Sequence, residues 1–260
     1  MLYQLERGFG FATHALDRQL REDKNFPVLS VMTTEIKGIS SMAMRQVLSE
    51  LVEAFECRSD CRVRIESVGG VDAARRVQAG EPFDVVFLAS DAIDKLIAAG
   101  CVQAGSKVDL VRSGVAVAVC AGAHQPDIST EEALRQAVLA ARSIGYSTGP
   151  SGVALASLFA RWGIDAEIQG RIVQAPPGVS VGSLVTGGQV ELGFQQLSEL
   201  INLEGIAVLG PLPPAIQIIT TFSAGVCSGT RNASAVRAML DDMNSPAAVD
   251  AKRRQGMEPV

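Results

Sequence analysis

The protein has 260 residues, of which 47% are apolar and 20% carry a charge, and its net charge at pH 7 is −5. This composition is typical of a globular protein and excludes a disordered chain. The acidic balance offers no basic surface to a phosphate backbone, so the sequence predicts no nucleic-acid partner. The length fits one large α/β unit or two lobes of about 100 residues each, with a cleft between them.

The N-terminal stretch differs from the rest of the chain. Residues 1–27 are rich in charge and show no regular hydrophobic period, and we interpret them as an extension outside the fold. They contain no segment typical of a signal peptide. Apolar runs elsewhere are shorter than the roughly 18–20 residues that cross a bilayer, so we expect no transmembrane span.

Cysteine and histidine residues form no pattern typical of a metal site. Cys57 and Cys61 have C-x3-C spacing, but His14 and His124 are isolated, and no second pair completes a tetrahedral set of ligands. We therefore predict no metal and no other cofactor. Whether Cys57 and Cys61 pair with each other stays open.

Short apolar runs alternate with helical periodicity in the first part of the chain. The sequence predicts strands at 28–32, 62–68 and 84–88, with helices starting after residues 41, 70 and 90. Strands that alternate with helices predict an α/β fold with a parallel sheet. Ligands of such sheets bind at the carboxyl ends of the strands.

A second series of strands and helices begins after residue 112. The predicted strands are 113–120, 143–146, 171–173 and 190–194, and a long run at 215–226 is interpreted as a strand that crosses between lobes. These assignments place lobe I at 28–119 and 214–260 and lobe II at 120–213. The ligand cleft is predicted to lie between the two lobes.

The run YSTGPSGVA at 146–154 indicates a strand that ends in a loop and opens a helix. Hydroxyl groups of Ser147 and Ser151 and free backbone N–H groups would converge there and suit a small anion. The alternative is a capped turn without any ligand. Two further junctions favour the anion site, since 65–72 contains Gly69–Gly70 and the predicted first strand ends at Thr33–Thr34.

The order of these motifs resembles that of the type II periplasmic solute-binding proteins, in the branch similar to molybdate-binding proteins. The resemblance covers about residues 28–260 and rests on these motifs: SVGG at 67–70, AGEPFDVVFL at 79–88, SD at 90–91, YS at 146–147 with P-x-G at 150–152, and GQVELGF at 188–194. It implies a two-lobed fold that binds a small anion. It also implies a periplasmic location, a monomer and delivery of the ligand to an ABC transporter permease. A cytoplasmic location stays open because no signal peptide is visible.

The resemblance further implies neutral donors around the anion. The implied ligand-binding residues are Thr33, Thr34, Gly69, Gly70, Ser147, Ser151, Val153 through its N–H, Gln195 and Gln196. Molybdate binders usually have a tyrosine where Gln196 stands and a Ser-Ser pair where Thr33–Thr34 stands. A molybdate-like oxyanion and a small di- or tricarboxylate are therefore both candidate ligands.

Two alternative functions follow from similar families. The segments FQQLSEL at 194–200 and TFSAG at 221–225 resemble a sub-branch that contains aconitate isomerase, an enzyme on the same fold. Such an enzyme needs an acid–base group, and the ionisable candidates near strand ends are Glu35, Lys37, Arg75 and Glu199. LysR-type regulators use a similar fold as cytoplasmic effector sensors, but 27 residues are too few for their DNA-binding domain.

Overall fold

The computed structural model describes residues 33–176 and 178–260, and residues 33–260 form one compact unit. The strands are β1 Thr34–Ser41, β2 Cys61–Val68, β3 Val85–Ala89, β4 Val108–Cys120, β5 Ile144–Ser147, β6 Ile172–Ala175, β7 Leu192–Gln196, β8 Ile206–Pro211, β9 Ile219–Val226 and β10 Glu258–Pro259. The helices are α1 Arg45–Glu56, α2 Gly70–Gln78, α3 Ser90–Ala98, α4 Glu131–Ala140, α5 Pro150–Arg161, α6 Asp165–Ile168, α7 Val181–Thr186, α8 Leu197–Leu200, α9 Ala233–Met243 and α10 Val249–Arg254.

The strands form one mixed sheet in the order β2-β1-β3-β9-β4-β7-β5-β6, and β8 and β10 both pair with β4. Strand β1 is parallel to β2 and β3, and β5 is parallel to β6 and β7. The 13-residue strand β4 connects the two halves, because residues 108–114 pair with β9 and residues 115–120 pair with β7 and β8. The chain returns to the first half between β8 and β9.

Each half of the sheet packs against its own helices. In the first half, α1 buries Val47, Leu48, Leu51 and Phe55, the apolar residues that its helical period placed on one face. In the second half, Phe159 of α5 contacts Tyr146 and Phe194 edge-on, with ring centroids 6.2 and 6.0 Å apart. Separate cores are the reason why two halves joined by few strands are stable.

The first described strand differs from the predicted one. The predicted strand at 28–32 and the extension at 1–27 lie outside the described residues. Strand β1 occupies 34–41, where the sequence predicts the segment between the end of a strand and the start of a helix. Ile36 and Ile39 of β1 are fully buried, whereas Glu35 and Lys37 near its start are exposed. These charged residues interrupt the apolar pattern, so the strand was not recognised from the sequence.

The connection back to the first half also differs from the prediction. The single long strand at 215–226 is wrong, because Pro214–Ile216 form a 3-10 helix and β9 begins at Ile219. Strand β8 was not predicted, and β4 begins five residues before the predicted residue 113. The lobe boundaries at 119–120 and 213–214 stay a prediction. No helix in the described part of the chain is both long and apolar enough to cross a membrane.

Candidate functional site

A cleft of about 630 Å³ opens at the carboxyl ends of strands from both halves of the sheet. Strands β1, β2 and β3 contribute their ends from one side, and β5, β6 and β7 contribute theirs from the other. This volume falls within the roughly 300–1,000 Å³ that is typical of small-molecule sites. A second depression of about 570 Å³, between residues 125–129 and 209–214, lies away from these strand ends.

Three helices begin at the cleft, and the residue that immediately precedes each of them has no polar side chain. The N-cap residues of α2, α3 and α5 are Gly69, Ala89 and Gly149. None of them has a side chain that could accept a hydrogen bond from the first turn of its helix, whereas the side chain of Thr130 accepts one from the N–H of Ala133 in α4. The first-turn N–H groups of a helix have no intrahelical acceptor, so those at the cleft are available to an anion.

The β5–α5 junction lines the cleft as the sequence predicted, with one exception. Ser147, Gly149 and Ser151 all border the cavity. Val153 does not, because its N–H donates to the carbonyl of Gly149 at 3.1 Å and its side chain is 63% exposed. The prediction of Val153 as a ligand is therefore corrected.

Thr33 and Thr34 are not at the cleft. Thr34 begins β1, and the strand's rise places it roughly 20 Å from the carboxyl end at which the cavity opens. Ser41 takes the predicted place of these threonines, since it ends β1 beside Val68 of β2 and lines the cavity. In the sequence, Ser41 stands directly before a predicted helix, a position that is also typical of a helix cap.

Residues 69–70, where α2 begins, and residues 195–196, where β7 ends, lie on opposite walls of the cleft. Gly69 and Gly70 border it from the first half, as predicted, and Gln195 and Gln196 border it from the second half. Gln196 Nε2 donates to Thr220 Oγ1 at 2.9 Å, while Gln196 Oε1 is buried and has no partner among the described residues. Ser41 Oγ is likewise buried without a partner there. Because buried polar atoms are rarely unpaired, both atoms are suited to contact a ligand.

Of the four ionisable candidates, two line the cleft and two do not. Glu35 and Lys37 belong to the start of β1, where Glu35 forms an exposed ion pair with Arg64. Arg75 borders the cavity and pairs with Asp72. A second cation, Lys95, which we did not predict, pairs with Asp91 at 3.3 Å on the same rim.

Glu199 is the fourth candidate, and it combines burial with access to the cleft. Protein atoms surround its carboxyl group, and part of the residue stays accessible where it lines the cavity. Burial raises the pKa of Glu199 from its ordinary value of 4.5 to about 7, and the hydrogen bond from Gln195 lowers the pKa by less. A carboxyl group with a pKa near neutrality can both accept and return a proton.

The raised pKa predicts how stability changes with pH. The folded protein keeps the Glu199 proton between pH 4.5 and about 7, whereas the unfolded chain has released it. The contribution of Glu199 to stability is therefore fully present below pH 4.5 and is lost as the pH rises to about 7. We expect the unfolding free energy of the wild type to fall relative to that of Glu199→Gln by about 3 kcal/mol across this window.

Urea denaturation of both proteins at a series of pH values measures this difference. Glu204→Gln, which alters an exposed glutamate in the loop after α8, is the matched control and should follow the pH dependence of the wild type. Parallel pH profiles for the wild type and Glu199→Gln would contradict the raised pKa.

The cysteines lie away from the cleft. Cys57 follows α1 and Cys61 begins β2, at the opposite end of that strand from Gly69, and both are free thiols. Among residues 33–176 and 178–260, no group of three or more histidine, cysteine, aspartate or glutamate side chains is arranged to hold a metal ion.

The chain is similar to known proteins both in sequence and in fold. The chain is 36% identical over 243 residues to an aconitate isomerase from Pseudomonas sp., covering 90% of this chain and 92% of the relative. The structure superimposes on the periplasmic molybdate-binding protein of Azotobacter vinelandii with a TM-score of 0.72, at 23% identity, over 85% of this chain and 98% of that one. It matches the sulfate-binding protein of Mycobacterium tuberculosis with a TM-score of 0.72, at 18% identity, over 87% of each chain.

The two structural matches confirm the two-lobed fold of type II periplasmic binding proteins. A family model described as bacterial extracellular solute-binding protein matches residues 36–258, which is nearly all of the described chain. This span includes every strand that contributes to the cleft. The protein belongs to the family of bacterial extracellular solute-binding proteins.

Proposed function

We propose that this protein is an isomerase of small unsaturated polycarboxylates such as aconitate, with Glu199 as its acid–base group. The observation that carries the proposal is the carboxyl group of Glu199, which lines the cleft at the strand ends and has a pKa raised to about 7. A protein that only binds anions gains nothing from a carboxylate at this place, because the ionised group would repel the ligand. The aconitate isomerase to which the chain is 36% identical supports the same activity.

The proposed reaction moves a double bond by a proton shift. Glu199 removes a proton from the methylene carbon beside one carboxylate of trans-aconitate, and the C–H electron pair forms a new double bond to the central carbon. The electrons of the old double bond then take the proton from Glu199 at its far carbon, and cis-aconitate results. Atoms and charge balance without a cofactor, because the same carboxyl group accepts and returns the proton.

The cleft supplies what the carboxylates of such a substrate need. The first turns of α2, α3 and α5 present backbone N–H groups, and negative charge is favoured at these helix ends. Ser41 Oγ can donate from the first half of the sheet. A rotation of the Gln196 amide by 180° would let Thr220 donate to Oε1 and would free Nε2 for the anion. These donors also stabilise the carbanion-like intermediate, whose charge spreads onto a carboxylate.

A second function, solute binding for transport, is favoured by the family match over residues 36–258. In that case the protein lies outside the cytoplasm, holds a small di- or tricarboxylate or an oxyanion, and delivers it to an ABC transporter permease. The donors at the cleft are mostly neutral, which suits either function. The two functions are distinguished by turnover, because an isomerase converts its ligand and a transport protein releases it unchanged.

A binding screen followed by an activity assay tests both functions. We expect cis- and trans-aconitate to raise the melting temperature more than molybdate, tungstate or sulfate. A ligand at 100 times its dissociation constant adds about 2.7 kcal/mol to the unfolding free energy. Proton NMR of trans-aconitate with the protein should show the cis isomer growing to equilibrium. Stabilisation by aconitate without conversion would leave the solute-binding function, and stabilisation by molybdate alone would contradict a carboxylate ligand.

A further inference from the structure

Gln195 was predicted as a ligand-binding residue, but both ends of its amide are occupied by the protein itself. Gln195 is only 3% exposed. Its Oε1 accepts from the N–H of Gly182 at 3.1 Å and from Ser180 Oγ at 3.2 Å, and its Nε2 donates to Glu199 Oε1 at 2.8 Å. Gln196, the next residue, instead keeps an unpartnered atom at the cleft. The two glutamines therefore have different tasks.

The amide of Gln195 can have only one orientation. A backbone N–H can only donate, so the atom that faces Gly182 must be the oxygen, and Nε2 must then face Glu199. Gly182 also packs closely against Leu203, since a Cβ at Gly182 would lie 2.5 Å from Leu203 Cδ2. Helix α7 thereby fixes the amide, and the amide fixes the carboxyl group.

The orientation of the amide decides which carboxyl oxygen carries the proton. Nε2 points a hydrogen at Glu199 Oε1, so Oε1 must act as an acceptor in both protonation states. In a neutral carboxyl group the carbonyl oxygen is a better acceptor than the hydroxyl oxygen, so the hydrogen bond from Nε2 favours Oε1 as the carbonyl oxygen. In the neutral acid the proton therefore sits on Oε2.

We propose that Gln195 is a positioning residue, which holds Glu199 Oε1 and leaves Oε2 as the atom that exchanges a proton with the substrate. This inference rests on the acid–base role of Glu199 proposed above. The other ionisable side chains that border the cavity among the described residues are Asp72, Arg75, Asp91 and Lys95, and each is paired within its own helix. Gln195 is thus the group that acts on Glu199 directly.

Replacing Gln195 by Leu keeps a side chain of similar size. The new side chain is apolar, so the hydrogen bond to Glu199 is removed. The bond lowers the pKa of Glu199, so the titration midpoint of its carboxyl carbon, followed by 13C NMR and assigned by its loss in Glu199→Gln, should move upward. The kcat for aconitate should fall at least about tenfold, with KM changed by less than about threefold, because the variant misplaces the proton-transfer atom and not the substrate. Gln195→Asn, whose amide is too short to reach both partners, should move the midpoint in the same direction and serves if the Leu variant does not fold.

Gln196→Leu is the matched comparison, since it alters the neighbouring residue of the same strand. It should raise KM and leave the Glu199 midpoint in place. A purely structural Gln195 would lower the melting temperature of its variants without moving the midpoint, and that outcome would overturn the inference. The NMR titration does not depend on turnover. If the wild type fails to convert aconitate, the proposed isomerase function is excluded. The titration midpoint of Glu199 still shows whether Gln195 acts on that carboxyl group.

Discussion

We expect the Glu199→Gln variant to lose at least about a thousandfold in kcat for the conversion of trans- to cis-aconitate. Glutamine has nearly the same shape as glutamate but cannot accept or return a proton. General acid–base groups contribute about 10²–10⁴-fold each, and here one group performs both transfers. The substrate should still bind, since the N–H groups of α2, α3 and α5 and the hydroxyl of Ser41 are untouched.

Two measurements separate catalysis from binding in this variant. Isomer conversion followed by proton NMR measures kcat, and isothermal titration with trans-aconitate measures affinity, which should be unchanged or higher because a neutral amide no longer repels the anion. Glu204→Gln, on the exposed loop after α8, should retain wild-type values in both assays. A Glu199→Gln variant with more than about a tenth of the wild-type kcat would exclude Glu199 as the acid–base group.

The second large effect is expected at Gly152, in the first turn of α5. This position has no room for a side chain, because a Cβ there would lie 1.7 Å from the carbonyl oxygen of Ser147. This contact is with backbone, so relief requires α5 to move away from β5. We expect Gly152→Ala to lower the unfolding free energy by about 3 kcal/mol or more, since overpacking typically costs 1–3 kcal/mol even where side chains can adjust. Aconitate binding should weaken as well, because Ser147 lines the cleft.

Gly170→Ala is the matched control for this substitution. Gly170 is exposed, has no atom within 4 Å of its would-be Cβ and has a backbone conformation open to any residue. Its replacement should change the unfolding free energy by less than about 0.5 kcal/mol. Thermal melts suffice for the comparison, because 3 kcal/mol corresponds to roughly 6–12 °C in a chain of this length. Equal melting temperatures for the two variants would contradict the close approach of α5 and β5.

Most of the elements could be predicted because their signals are local. The helical period of Val47, Leu48, Leu51 and Phe55 predicted α1, and the buried run at 84–88 predicted β3. Strand β1 could not be recognised in the same way. Its pairing with β2 and β3 stabilises a segment whose charged residues interrupt the apolar pattern, and such pairing joins distant parts of the chain.

The candidate site was predicted in part for the same reason. Gly69, Ser147 and Gln196 lie at the ends of β2, β5 and β7, which the sequence located to within two residues, and all three line the cleft. Thr33 and Thr34 were predicted at the carboxyl end of a strand, but β1 begins at Thr34, so both residues lie at the opposite end of that strand from the cleft. The prediction for Val153 was wrong for another reason. Whether a backbone N–H near a helix start is free depends on where the helix begins, and the N–H of Val153 is already bonded to the carbonyl of Gly149.

The α/β class, the two-lobed family and the glycine-rich strand ends could be inferred from the sequence alone, because hydrophobic period and motif order are properties of neighbouring residues. The three-dimensional arrangement was needed to show that, of the two ionisable candidates at the cleft, Glu199 is the one whose carboxyl group is buried there, with its pKa raised to about 7. It likewise decided that Gln195 bonds to Gly182 and Glu199 while Gln196 keeps an atom free. Desolvation and hydrogen bonding depend on which distant segments surround a group, and no local pattern in the chain encodes that environment.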